Sequence, residues 1–172
     1  MKFVNLKMHS TNMKKIILFF SIFSLIGITG CEKDDPGIKD YDYLVFGYFF
    51  GFCQGEGCIE IFKITGSDVY EDTRDVYPTN DPPYSGTFVK MDRSFYQAVK
   101  GLENEIPSQL LNNKEKVIGQ PDAGDWGGIY FEFSANGKKE YWIIDKNITN
   151  LPEYLIPFVQ QIEDRIEALQ PD

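Results

Sequence analysis

The chain has 172 residues, of which 42% are hydrophobic, 15% aromatic and 25% charged, and its formal net charge is −9. This is a globular composition with one domain's worth of chain, and it excludes collagen, coiled coil, wholesale disorder and a multi-pass membrane protein. The charge is lopsided: residues 1–30 hold Lys2, Lys7, Lys14 and Lys15 and no acid, so the other 142 residues carry 13 basic and 26 acidic side chains, a net charge of −13. A field of that sign repels nucleic acid and anionic lipid head groups. Basic partners and divalent cations stay open, beside the plainer reading of a soluble, self-repelling surface.

Lys14-Lys15 precede an apolar run from Ile16 to Ile28, broken only by Ser21, Ser24 and Gly27. The run is too short to span a bilayer comfortably, and it has the positive and apolar regions of an export signal. Thr29 and Gly30 follow, and then Cys31. Ile28-Thr29-Gly30-Cys31 resembles the lipobox of bacterial lipoproteins, with Ile and Thr where that family usually has Leu and then Ala or Ser. The resemblance implies that residues 1–30 are a lipoprotein signal peptide cut before Cys31, that the Cys31 thiol is alkylated by diacylglycerol, and that the new amine is acylated. Two or three acyl chains anchor stably where one is marginal. An ordinary signal peptide with an unmodified Cys31 is the alternative. Met13 opens a more compact signal than Met1, which makes residues 1–12 a mis-called start extension.

Residues 31–40 read as a flexible tether: Glu32-Lys33-Asp34-Asp35-Pro36-Gly37 is polar, with Pro and Gly and no apolar anchor. Lys33-Asp34-Asp35 resembles the short Lys-acid-acid export tag of Bacteroidota surface lipoproteins, which implies an outer-membrane location on the cell-surface or periplasmic face.

A globular domain is expected over 41–172, with no internal repeat and no second linker. Tyr43–Phe52 is an aromatic and β-branched run containing Gly47 and Gly51, which predicts a strand with close backbone contacts or bulges. Cys53–Cys58 is a short turn and Ile59–Ile64 the returning strand; Val69–Glu71 is a third short strand. Residues 72–86 form a polar loop with Pro78, Pro82 and Pro83, and Thr87–Met91 an edge strand. Asp92 is placed as an N-cap, and Phe95, Val99, Leu102 and Ile106 follow as a helical stripe that Pro107 ends or kinks. One further turn at Ser108–Asn112, a brief strand at Lys116–Ile118 and a tight loop at Pro121–Gly128 come next. Ile129–Ser134 and Glu140–Asp145 flank Asn136-Gly137 and make the clearest hairpin, because Asn-Gly favours a type I′ turn. From Pro152 to Leu169 the residues Leu155, Phe158, Val159, Ile162, Ile166 and Leu169 share one face of a helix. Pro157 there predicts a break near Tyr154–Ile156 or a helix that begins there. The order of elements predicts an α+β fold: a single domain with a mostly antiparallel sheet built from hairpins, one or two helices packed on one face, and a C-terminal helix.

Residues 50–61, with Pro121–Gly128 and Leu151–Leu155, resemble the corresponding pieces of small uncharacterised Bacteroidota lipoproteins. More distantly, the order of two-cysteine hairpin, helix, aspartate-rich loop, hairpin and terminal helix resembles a bacterial domain family of unknown function, which usually has a shorter Cys-x-Gly-x-Cys spacing. The resemblance implies the address and the fold and no activity.

The one histidine is His9, so the domain has none, which removes Ser-His-Asp and Cys-His catalysis and every His metal site. Cys53 and Cys58 lie across a hairpin turn in an oxidising compartment, and the expected state is a disulfide; a redox pair calls for Cys-x-x-Cys at a helix start. There is no Walker loop and no strand–GxGxxG–helix unit. Asp122 and Asp125 share a glycine-rich loop with Trp126, and Glu132 follows on a strand. A sugar can stack on Trp126 beside such carboxylates, whereas the structural alternative has both aspartates holding the turn and Trp126 packed on the sheet edge. Asp68, Glu71, Asp72, Asp75 and Asp81 lack the spacing of a calcium loop. Phe46, Phe50 and Phe62 are expected in the core, while Tyr41, Tyr43, Tyr48, Tyr77 and Tyr84 form either half-buried packing or an exposed platform, so the candidate binding residues are Asp122, Asp125, Trp126 and Tyr84.

The expectation is a non-enzymatic, lipid-anchored binding module with no catalytic residue, metal or cofactor and with a protein or glycan ligand. Two alternatives are an acidic inhibitor or immunity protein that caps a basic enzyme through a protruding loop at 72–83, and a small glycan hydrolase using the loop carboxylates.

Overall fold

The structure, a computed structural model, describes Ile38 and residues 40–170. The signal peptide, the Ile28–Cys31 lipobox and all of the tether but Ile38 and Asp40 lie outside the described residues. Seven strands form one sheet: β1 (Tyr43–Phe49), β2 (Ile59–Thr65), β3 (Asp68–Asp72), β4 (Phe88–Lys90), β5 (Val117–Ile118), β6 (Gly128–Ala135) and β7 (Lys138–Asp145), in the order β4-β3-β2-β1-β6-β7-β5. All pairings are antiparallel except β5 with β7. The fold is α+β, and the helices α1 (Tyr96–Val99), α2 (Ser108–Leu111) and α3 (Ile156–Leu169) follow in chain order.

Strand alternation divides the side chains between two faces. Leu44, Phe46, Phe62, Phe131 and Trp142 point to the helices and meet Phe158, Ile162 and Ile166 of α3 in the larger core. Phe131 is central there, at 5.0 Å from the Phe158 ring and 6.2 Å from the Trp142 ring, centroid to centroid. Val45, Phe49, Ile61, Tyr130 and Ile143 face the other way and pack with Tyr84 from loop 73–87. Phe50, a core expectation along with Phe46 and Phe62, is only half-buried: β1 ends at Phe49, and Phe50 turns outward against Tyr48. Gly47 answers to a close approach, since a Cβ there would fall 2.0 Å from the Glu60 carbonyl oxygen across the ladder.

The helical stripe from Phe95 to Ile106 is not one helix. Asp92 accepts a hydrogen bond from the Ser94 amide, a 3-10 turn spans Arg93–Phe95, and α1 stops at Val99. Lys100 is extended, Gly101 sits at φ 88°, and a second 3-10 turn covers Leu102–Asn104. Glycine reaches that left-handed backbone at little cost, so the chain reverses and still buries Val99, Leu102 and Ile106 at the same core. Asn136 and Gly137 have φ 53° and 73°, as a type I′ turn requires. A 3-10 turn at Glu153–Leu155 precedes α3, and Pro157 falls in the first turn of α3, where no N–H is missed.

The register sets two ends. Tyr43 pairs with Ser134 beside the 136–137 turn, and Phe49 pairs with Gly128, which itself pairs with Asp145. Residues 40–42 therefore enter at one end of the sheet, while loops 50–58 and 119–127 lie at the other, about 20 Å away along β1.

Cys53 and Cys58 form a disulfide with Cα atoms 5.6 Å apart. Closing so short a loop restricts the unfolded chain by about 2 kcal/mol. Replacing both cysteines by serine lowers the urea unfolding free energy by about that amount, and reductant has the same effect on the native protein but none on the variant.

Candidate functional site

Loop 73–87 has no regular structure, yet it covers the sheet face opposite the helices, held there by two buried carboxylates. Glu132 on β6 is 0% exposed. Its Oε1 accepts from the Tyr43 hydroxyl at 2.7 Å, and its Oε2 accepts from the Tyr84 amide at 3.0 Å and from the Tyr130 hydroxyl. Three donors and no donation out suit a carboxylate, which only accepts. The ring of Tyr43, which donates to this group, carries a positive charge over it: Lys63 Nζ lies 4.6 Å from its centre.

Asp72, 4% exposed at the end of β3, holds the two ends of the loop. It accepts from the Arg74 amide at 3.2 Å and from the Thr87 amide. The Tyr84 hydroxyl lies 2.8 Å from Asp72 Oδ2 and 2.7 Å from the Val76 carbonyl, and its single proton is shared between them. Tyr141 donates to the Asn80 carbonyl at 2.9 Å. The loop therefore lies down on the sheet. Burial first, and hydrogen bonding to Glu132 or Asp72 second, pushes the Tyr43, Tyr84 and Tyr130 phenols well above their ordinary range.

The candidate loop at 121–128 is built the same way. Asp122 takes φ 59° and accepts from the Gly51 amide at 2.8 Å, the Tyr77 hydroxyl at 3.1 Å and the Gly127 amide at 3.1 Å. It thus joins the disulfide loop, the proline loop and its own turn. Trp126 is half-buried, and its indole donates to Asp145 at 2.7 Å. Asp125 is exposed at φ 60°. Tyr84 is 9% exposed and lies beneath its own loop. The four candidate residues therefore do not share a surface: Asp122 and Trp126 bind the chain, Tyr84 is a staple, and Asp125 faces solvent.

Asp145, at the end of β7, has no counterpart among the sequence candidates. It is 0% exposed. It accepts from the Gln120 amide, Trp126 Nε1, the Asn147 amide and Asn150 Nδ2, all at 2.7–2.8 Å. Burial pushes its carboxyl up, but these donors outweigh it and hold the group below its ordinary value. The available signal was an acid closing a strand just before Asn147, which is also how a solvated strand end reads.

Among the described residues, the most exposed large apolar side chain lies at the far end of the sheet. Phe52 is 86% exposed on the disulfide loop, which is also fixed by the Phe50 amide on the Cys58 carbonyl at 2.9 Å and by Gly51 on Asp122. A groove of about 380 Å³ lies at the same end, lined in part by Phe49, Tyr77, Pro78, Val117 and Ile143. Tyr77 and Val117 there are 44% and 43% exposed. A smaller cavity of about 280 Å³ lies beneath the Pro82–Pro83 turn, with Tyr77, Tyr84 and Tyr130 in its wall. Among the described residues, no group of three or more His, Cys, Asp or Glu is placed to hold a metal ion, and no helix is long and apolar enough to cross a membrane. No protein-family model, curated protein or solved structure matches the chain.

Two consequences are measurable. Asp145→Ala leaves four donors without their acceptor and costs about 3 kcal/mol at neutral pH. A carboxyl held below its unfolded value of 3.8 stabilises fully above that value and loses the contribution as pH falls through its native value. The stability gap between wild type and variant, followed by chemical denaturation, is therefore flat at neutral pH and closes in acid. At the alkaline end the sign reverses. Phenols raised above 10.0 stabilise fully below that pH and lose the contribution above it. Absorbance titration of the tyrosines should show Tyr43, Tyr84 and Tyr130 ionising only together with unfolding.

Proposed function

We propose that the chain is a lipid-anchored extracytoplasmic binding module, without catalytic activity of its own, that holds a protein partner at the end of its sheet carrying Phe52. The observation that carries the reading is Phe52 itself. A phenylalanine 86% exposed has no role in the core, and the loop that presents it is locked by a disulfide and by Asp122. An aromatic anchor on a pre-ordered loop loses little entropy on docking, and such residues dominate interface energetics. The groove beside Tyr77 offers apolar surface for a partner's side chain.

The reading is supported by direction. Lipid at Cys31 would leave residues 32–42 as the link to the membrane, and that link joins the sheet at the end opposite Phe52. A link that enters there leaves the Phe52 end unobstructed by the anchor. The non-catalytic part is supported by the carboxylates. Glu132 and Asp145 are fully buried, and Asp122 is bound by three donors of its own chain. The net charge of −13 favours encounter with a basic partner.

Two experiments test the proposal. Intact mass of the protein from its native membrane should give a chain beginning at Cys31 with a lipid-sized addition; an unmodified chain still carrying residues 1–30 would refute the anchor. A photo-crosslinking residue at position 52 of the full chain, in cells, should trap one discrete partner that the same probe at Val89 does not. Phe52→Asp should abolish binding of that partner while leaving the melting temperature unchanged. Equal trapping at positions 52 and 89, or at neither, would refute the docking face.

A further inference from the structure

The cavity beneath the Pro82–Pro83 turn is distinct from the Phe52 loop and has a chemistry of its own. Its volume of about 280 Å³ is at the lower end for a ligand site, so it suits only a small molecule. Three of its lining residues are tyrosines, and the hydroxyl of each is directed at a carboxylate: Tyr130 at Glu132, Tyr77 at Asp122 at 3.1 Å, and Tyr84 at Asp72 at 2.8 Å, where the proton is shared with the Val76 carbonyl. A phenol donating to a carboxylate is polarised toward its oxygen, and its ring gains electron density. Asp81, exposed, adds a further carboxylate to the lining, which among the described residues includes no lysine, arginine or histidine. An anion entering this space would meet only like charge.

The same sheet face already contains the pairing such a cavity would use. Lys63 places its ammonium 4.6 Å from the centre of the Tyr43 ring, and the Tyr43 hydroxyl donates to Glu132 at 2.7 Å. That is an ammonium over a tyrosine whose proton is held by a carboxylate; Tyr130 donates to the same Glu132 but carries no ammonium. Cation–π attraction strengthens where the ring is shielded from water, as Tyr84 is at 9% exposure, while Tyr130, at 1%, backs the cavity behind it.

We propose that this cavity is a binding site for a small alkylammonium ion, its charged nitrogen held against the rings of Tyr77 and Tyr84 and countered by Asp81. Tyr77 also lines the groove beside the Phe52 loop, but Asp81 lines only this cavity, so its substitution tests this site separately from the docking face.

The test is titration of the full chain with choline chloride by calorimetry or by amide chemical shifts, at constant ionic strength, beside its neutral isostere 3,3-dimethyl-1-butanol. Choline should saturate, with shifts concentrated at residues 76–85 and 130, and the isostere should bind at least roughly tenfold more weakly. Asp81→Asn changes an exposed residue and should weaken choline roughly five- to tenfold without changing the melting temperature, and Tyr77→Leu, which also removes the hydrogen bond to Asp122, should weaken it by a similar factor in protein that its amide spectrum shows to be folded. Equal binding of choline and the isostere would mean an apolar hole and would overturn the proposal. So would undiminished choline binding in both variants, or no choline binding to the folded protein.

Discussion

Glu132 is the contact on which the second half of this structure depends. One face of the sheet is covered by helices, which satisfy their own backbone and need only an apolar stripe to dock. The other face is covered by loop 73–87, an irregular segment whose amides need partners once water is excluded. Glu132 answers that need from the sheet, taking the Tyr84 amide from the loop and the Tyr43 and Tyr130 hydroxyls from neighbouring strands. Asp72 closes the same loop at both ends. A buried carboxylate is costly unless its lone pairs are filled, and here they are filled by phenols and amides, with the Lys63 ammonium one ring away.

The same solution recurs at Asp122 and Asp145. Each gathers donors from segments that are distant in sequence, and together they build the far end of the sheet. In a chain with twice as many acids as bases after residue 30, acids are the available acceptors, so they take the part that peptide carbonyls or amide side chains take elsewhere. Surplus negative charge thus serves two purposes. Outside, it surrounds the domain with a negative field. Inside, it organises loops and places a carboxylate at the hydroxyl end of several tyrosines. The rings that result are the electron-rich walls of the cavity beneath the proline loop, and the rigidity that results at Asp122 is what holds Phe52 in solvent.

Much of the fold was legible in the residues. Asn136-Gly137 between alternating runs marked the β6–β7 hairpin, and the period of Phe158, Ile162, Ile166 and Leu169 marked α3, because both signals are local and strong. The stripe Phe95–Val99–Leu102–Ile106 reads as one helix and is not one, although Val99, Leu102 and Ile106 are buried together and Phe95 is half-buried. A chain that reverses at Gly101 can present the same apolar residues to the same core, and periodicity does not separate the two cases. Phe50 was assigned to the core on hydrophobicity alone, while the end of β1 at Phe49 turned it outward.

The candidate site was less legible. Asp122 and Trp126 were found as a constellation, yet whether they bind a ligand or their own chain turns on Gly51, Tyr77 and Asp145, which lie 71, 45 and at least 19 positions away. By itself the sequence determined the class of fold, the separation of an export-like N-terminus from an acidic domain, and the pairing of Cys53 with Cys58, because these follow from composition, local periodicity and short-range closure. Only the tertiary structure decided which acids are buried, which tyrosines lie beneath a loop, and which aromatic is left in water. Those are outcomes of long-range packing, in which an acid's meaning depends on donors that folding alone brings to it.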